Sequence, residues 1–143
     1  MKKLQNIKFV LLIASLSVIG VSCNKEEIKI DPRKAILGKW EITHIGNGDS
    51  LRPVENPIAY AEYLPDSVLL GYNYEEDRFF YWKYWLTDSL LVQSFVFIDS
   101  IDNDTIVFEL PYKYDFISPN KLRLEFLIPT FGGQQISIYK RID

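Results

Sequence analysis

The chain is predicted to fold as an all-β, antiparallel, up-and-down barrel of eight strands, and three observations lead there. Beyond Gly38 the apolar residues recur with a period near two, the spacing of a strand with one buried face. Turn-forming clusters interrupt that pattern at Pro65-Asp66-Ser67, Thr87-Asp88-Ser89, Asp102-Asn103-Asp104, Ser118-Pro119-Asn120 and Gly132-Gly133. The segments between them begin near residues 39, 58, 67, 78, 90, 105, 121 and 134. Eight consecutive strands close a meander with room inside for side chains or one small ligand.

Ahead of that domain the chain opens with Lys2, Lys3 and Lys8, then an apolar run from Phe9 to Gly20, then Val21-Ser22-Cys23. A basic start, a short apolar core and small residues at the break have the form of a removable signal peptide. The run is well short of the roughly 20 residues that a transmembrane helix needs. The break falls before the only cysteine of the chain, and this pairing resembles the lipobox of bacterial lipoproteins. The chain has Gly20 where a lipobox usually has leucine, with Ile19 one place before it. The resemblance implies cleavage before Cys23, diacylglycerol on its sulfur and an acyl chain such as palmitate on its nitrogen. Two lipid signals already suffice for stable anchoring, so the membrane is the first expected partner, held through Cys23 without a spanning helix.

Residues 1–22 are thus expected to be a signal peptide, 23–34 a lipidated cysteine with a charged tether, and 35–143 the barrel domain. Seven of the eleven residues from Asn24 to Lys34 are charged, which suits a solvated linker. Within it Lys25, Glu26 and Glu27 resemble the lysine-plus-two-acids export signal that carries some lipoproteins to the cell surface. The expected location is therefore the outer membrane, on its outer face.

Removal of residues 1–22 leaves 121 of the 143 residues, the size of one domain. The formal charge of −3 includes three leader lysines, so the mature chain carries −6. That balance is a poor fit to nucleic acid. With Cys23 lipidated no thiol remains for a disulfide or a zinc site. A hydrophobic content of 48% and an aromatic content of 15% can still supply a core.

The folded part starts at Asp31-Pro32, where aspartate is a good N-cap and proline suits the first helical position; Gly38 then stops a one- to two-turn helix. Between Gly46 and Pro57, Asn47-Gly48-Asp49 and two prolines predict a long loop across one barrel mouth. From Thr105 to Ile117, Ile106, Phe108, Leu110, Tyr112, Tyr114 and Phe116 share one face, with a bulge or bend expected at Pro111. Leu122, Leu124 and Phe126 alternate with Lys121, Arg123 and Glu125, and Ile136 and Ile138 with Gln135, Ser137 and Tyr139.

Gly38-Lys39-Trp40, preceded by a helical turn, resembles the Gly-x-Trp that opens the first strand of lipocalins. Residues 61–68, the Asn120-Lys121-Leu122 turn and the closing Tyr139-Lys140-Arg141-Ile142 are similar to small lipocalin-like domains of bacterial lipoproteins. The resemblance covers about residues 31 to 143 and implies a lipocalin-like barrel for ligand binding. It also implies that a basic residue near the end packs over the first-strand tryptophan and closes the barrel. Arg141 is the candidate partner of Trp40, with Lys140 second.

His44 is the only histidine and lies on the face of Trp40 and Ile42 by simple alternation, as a hydrogen-bonded wall residue. No spaced nucleophile, base or metal motif accompanies it. Asp99, Asp102 and Asp104 read as turn formers rather than a calcium loop, because their spacing differs from the EF-hand pattern. Glu75-Glu76-Asp77 is a charged surface loop. The expectation is a protein without catalysis, cofactor or metal.

Arg78-Phe79-Phe80-Tyr81-Trp82-Lys83-Tyr84-Trp85 can turn only one of its two aromatic faces inward. If Lys83 faces solvent, Phe79, Tyr81 and Trp85 form a surface aromatic patch. Trp40, Phe80, Trp82, Phe108, Tyr112 and Tyr114 are then expected to line or fill the interior, where a small apolar or amphipathic ligand would bind. The competing expectation is a solid-cored interaction module whose outer patch binds a glycan or an envelope protein.

Overall fold

The computed structural model describes residues 30–48, 50–98, 104–128 and 135–143. The leader, Cys23, Lys25, Glu26 and Glu27 lie outside the described residues, as do Asp99, Asp102 and the Gly132-Gly133 turn. One short helix, α1 (Pro32–Ala35), precedes nine strands: β1 (Gly38–Asn47), β2 (Ser50–Pro53), β3 (Ala59–Tyr63), β4 (Val68–Asn73), β5 (Arg78–Leu86), β6 (Leu90–Ile98), β7 (Thr105–Ser118), β8 (Lys121–Phe126) and β9 (Gln135–Arg141). Sequential strands pair antiparallel from β3 to β9, and β9 returns to β1 to close the wall. The closed barrel therefore has eight strands, β1 and β3 to β9.

The extra strand corrects the long-loop expectation for Gly46 to Pro57. β2 turns back on the second half of β1, pairing Asn47 with Ser50 and His44 with Pro53, while the first half of β1 pairs with β3. Gly46 permits this return: a Cβ there would lie 1.9 Å from the Ser50 carbonyl oxygen.

Asp31 caps α1 by accepting from the Arg33 N–H at 3.1 Å, with Pro32 in the first turn. Residues 31–34, expected in the tether, are thus structured. The core gathers at the end of the barrel that α1 covers. Ile36, Trp40, Tyr63, Leu69, Tyr84, Leu91, Leu122 and Leu124 form one buried cluster there. Tyr63 and Tyr84 meet edge to face at 4.9 Å, and Gln93 donates to the Tyr63 hydroxyl at 2.7 Å. Two buried polar tips are thereby satisfied within an aromatic packing that favours this geometry.

Two irregularities re-aim side chains that alternation alone would place elsewhere. In β1 the register against β9 shifts between Ile42 and His44. Ile42 stands opposite Tyr139 but His44 stands opposite Ile138, so His44 leaves the Trp40 face. β9 pairs with β8 without a break, Ser137 and Tyr139 standing opposite Leu124 and Leu122, while Ile136 and Ile138 stand opposite Glu125 and Arg123 and are buried on the other face. The second shift lies between Phe116 and Ser118.

No bulge occurs at Pro111, which pairs in register with Val92. Its carbonyl accepts from the Leu127 N–H at 3.1 Å, just past the last residue of β8. The N–H and C=O of one strand residue point to the same neighbour, so the missing donor of Pro111 falls where the β8 ladder ends. Proline is tolerated there without a distortion.

The eight strands do not stay paired to one height. β5 pairs with β6 only over Lys83–Leu86, and β7 pairs with β8 only from Tyr112 onward. β6 and β7 pair with each other from Leu90–Lys113 out to Ile98–Thr105. Beyond those limits β6 and β7 pair only with each other among the described residues, as a two-stranded ribbon that parts from β5, whose Arg78–Trp82 half stays on β4.

Candidate binding cleft and the closed end

The closed end is built around one side chain. The Arg141 guanidinium lies 4.6 Å from the Trp40 ring centroid. It also donates to the carbonyls of Leu37 and Ala35, the latter at 2.6 Å, and to Pro119 at 3.4 Å. The last carbonyls of a helix have no partner within it, and a planar five-donor cation suits two of them at once. Trp40 contributes from the other side, its Nε1–H donating to the Ile36 carbonyl at 2.7 Å. Arg141, Trp40 and the α1 end thus lock together, and Lys140 is directed elsewhere, opposite Glu41 and Lys121 on the exposed face.

Above this floor the packing opens into a cleft of about 370 Å³. Its walls are Trp40, Ile42, Ala59, Ala61, Gly71, Phe80, Trp82 and Tyr139, with Tyr60, Tyr72 and Asn73 contributing to its edge. The volume falls in the range of small-molecule sites, about 300–1,000 Å³. Space exists because one arc of the wall carries small residues: Ala59, Ala61 and Gly71 pair across β3 and β4 with Asn73 and each other. A Cβ at Gly71 would meet the Trp82 ring at 3.4 Å, so this glycine lets the indole lie close to β4.

The lining is mostly hydrocarbon and aromatic ring, with Tyr139 as its most deeply buried polar group. Burial pushes the Tyr139 phenol pKa up, opposed by a weaker hydrogen bond involving Ser137. Burial likewise raises Tyr63, with Tyr139 nearby adding to it and Gln93 opposing it, and carries Tyr112 to about 12. These hydroxyls are neutral donors and acceptors at ordinary pH. Such a cleft can hold an apolar body and meet one polar group, and it presents no activated nucleophile.

Of the interior residues expected from sequence, Trp40, Phe80 and Trp82 line the cleft. Tyr112 and Tyr114 do not: Tyr112 packs on the core and against Phe126 at 5.3 Å, while Tyr114 donates to the Thr87 carbonyl at 3.1 Å near the closed end. Phe108 must be corrected. It is on the inward face by register, stacked on Phe95 at 5.3 Å, but it sits on the two-stranded ribbon and is 43% exposed. Alternation alone does not mark Ala59, Ala61, Gly71, Ile42 and Tyr139 as cleft walls. The alternating small residues at 59, 61 and 71 were the available signal.

The outward aromatic residues stand where the Lys83 argument puts them. Phe79 and Trp85 are exposed, and Tyr81 is 73% exposed. Phe79 is part of a larger outer group: its ring is 4.8 Å from Tyr72, which neighbours Tyr60 at 5.4 Å and Tyr74 at 5.7 Å. Tyr72 and Tyr74 donate to Asp77 and Glu41, the latter at 2.7 Å. Lys39 lies 5.2 Å over the Tyr60 ring. His44 meets only the Thr43 hydroxyl, at 3.1 Å, and no group of three or more metal-ligating side chains occurs among the described residues. No protein-family model matches the chain, and no curated protein matches it.

Proposed function

We propose that this protein is a lipid-anchored, lipocalin-like binding protein of the outer membrane that holds a small apolar or amphipathic ligand inside its barrel and performs no catalysis. The observation that carries the reading is the cleft of about 370 Å³ between Trp40, Trp82 and the small residues of β3 and β4. An apolar cleft of this size gains by exchanging water for the apolar body of a ligand. The occupant that suits it has a compact apolar body and one polar group within reach of Tyr139. The lipobox-like break at Cys23 supports the anchor, and Lys25-Glu26-Glu27 supports display on the cell surface.

The test is native mass spectrometry of the protein after gentle extraction, together with titration of the apolar fluorescent dye N-phenyl-1-naphthylamine. A co-purifying small molecule, or saturable dye binding that Ala61→Phe abolishes, is the expected result. Dye binding undiminished by Ala61→Phe places the dye outside the cleft and defeats the reading.

A second reading has its own observation. The outer group of Tyr60, Tyr72, Tyr74 and Phe79 continues into exposed Tyr81, and carboxylates stand beside its hydroxyls. Such a surface suits a glycan or an envelope protein. Loss of binding to either on Tyr81→Ala, with the melting temperature unchanged, is the outcome that favours it.

A further inference from the structure

Past the apolar cleft the same inner face of the wall becomes polar. Ile42 pairs with Tyr139, and beyond the shift in β1 that face runs on through Ile45 and Asn47, which pair with Ser137 and Gln135. On the other side of β1, Arg52 pairs with Ile45 and Ser50 with Asn47, so these side chains share the face. Ile45, Asn47, Ser50, Arg52 and Gln135 line a second recess of about 410 Å³. Arg52 stands level with Ser137, two residues from Tyr139 along β9, a rise of about 7 Å. The recess therefore follows the cleft directly along β1 and β9.

Its chemistry has one sign. Among the described residues that line it, Arg52 is the one ionisable side chain, and it makes no ion pair there. The amides of Asn47 and Gln135 and the Ser50 hydroxyl can all donate. A second cation borders the cleft across the small-residue arc of β3 and β4. Arg78 pairs with Asn73, and its guanidinium lies 4.5 Å over the ring of Phe80, a wall of the cleft. The Asn73 Oδ1 accepts from the N–H groups of Glu75 and Glu76 at 2.9 and 3.0 Å, so that side chain has its NH₂ donors left for an occupant. Glu76 holds Arg78 at 2.7 Å and Asp77 accepts from the Tyr72 hydroxyl on the outer face. The positive charge without a partner at this end is thus that of Arg52.

We propose that the occupant of the cleft is an amphipathic anion, with a compact apolar body against Trp40 and Trp82 and a carboxylate or comparable oxyanion head at Arg52. The inference rests on the cleft being the binding site and adds the sign of the ligand's charge. The polar group that the cleft calls for is then an anion set above Tyr139 on the Arg52 side. A guanidinium suits such a head because its planar fork meets two oxygens at once, and charge-assisted hydrogen bonds of this kind are roughly twice as strong as neutral ones. A cationic head would be repelled by Arg52 and would find amide donors around it.

The test uses a matched pair of dyes. 8-Anilinonaphthalene-1-sulfonate is N-phenyl-1-naphthylamine with one sulfonate added, so the ratio of their affinities reads the head group while the apolar body stays constant. Both are titrated into the extracted protein, and only the saturable signal that Ala61→Phe removes is counted. The sulfonate is expected to bind about tenfold more tightly at low salt, the factor that one hydrogen bond to a charged group supplies. The advantage should shrink in 1 M salt, where the Debye length is about 3 Å. Arg52→Gln should bring the ratio near one, and Arg52→Lys, which keeps the charge without the fork, should restore part of it. Equal affinities in the wild type, or a ratio that Arg52→Gln leaves unchanged, overturn the inference while the cleft remains a binding site. So does displacement of the neutral dye by 1-naphthylmethylamine more readily than by 1-naphthoate. Neutral-dye binding that Ala61→Phe does not diminish is the separate result that removes the cleft itself.

Discussion

Arg141→Ala is the substitution whose cost can be worked most directly from the closed end. The guanidinium contributes a cation over the Trp40 ring, typically about 0.5–2 kcal/mol, and charge-assisted hydrogen bonds to the Ala35 and Leu37 carbonyls, of which each kind is worth about 1.5–3 kcal/mol. Its side chain remains partly solvated and the 3.8 Å pair with Asp143 is weak, so these terms do not add in full. A loss of roughly 3 kcal/mol is expected. For a domain of this size that lowers the melting temperature by about 12 °C. Arg141→Lys keeps the charge over the indole but, as a single point donor, cannot fork to both carbonyls, and should recover about half of the loss. Thermal unfolding by far-ultraviolet circular dichroism measures both, and hydrogen exchange at the Ile36 amide, which donates to Pro32, shows whether α1 has come loose. If Arg141→Ala melts within 2 °C of wild type, or if lysine is as damaging as alanine, the plug does not work as described.

Four further outcomes are expected. Tyr63, Tyr112 and Tyr139 have pKa values raised by burial, so their contribution to stability is complete below the ordinary tyrosine value of 10.0 and is lost as pH rises through the folded values, near 12 for Tyr112. Tyrosinate absorbance at 295 nm should therefore appear for these residues together with the loss of the circular dichroism signal, and their titration near pH 10 in a folded protein would contradict it. Gly46→Ala should cost more than about 2 kcal/mol, because its Cβ would lie 1.9 Å from the Ser50 carbonyl oxygen and the β1–β2 return must shift; chemical denaturation checks this. Tyr81→Ala should change stability by less than about 0.5 kcal/mol, as its ring is mostly in solvent. Cys23→Ala should leave an unlipidated precursor that no longer incorporates labelled palmitate; continued labelling would refute the anchor.

The sequence carried the wall of the barrel well. Period-two alternation reports which residues share a face, and in β5 it separated Phe80, Trp82 and Tyr84 from Phe79, Tyr81 and Trp85 because no irregularity interrupts that strand. It failed for His44 because a one-residue shift after Ile42 inverts every later assignment in β1, and nothing in Ile42-Thr43-His44 marks the shift. It failed for Phe108 in a different way: the face was right and the height was wrong. Alternation gives no measure of where neighbouring strands stop.

The eight strands of the barrel wall, their antiparallel order, the N-capped turn at Asp31 and the lipobox-like leader were all determined by residues close together along the chain. Pairings between distant segments were decided only by tertiary structure. β2 returns onto β1 at Gly46, Arg141 reaches the carbonyls of α1, and Ala59, Ala61 and Gly71 face Trp82 so that the interior stays open. The outer parts of β6 and β7 pair only with each other among the described residues because β5 parts from β6 beyond Lys83 and β8 ends at Phe126. Local pattern sets which way a side chain points, whereas closure of the barrel sets what it meets there, and in this protein the cleft and the plug are both consequences of the second.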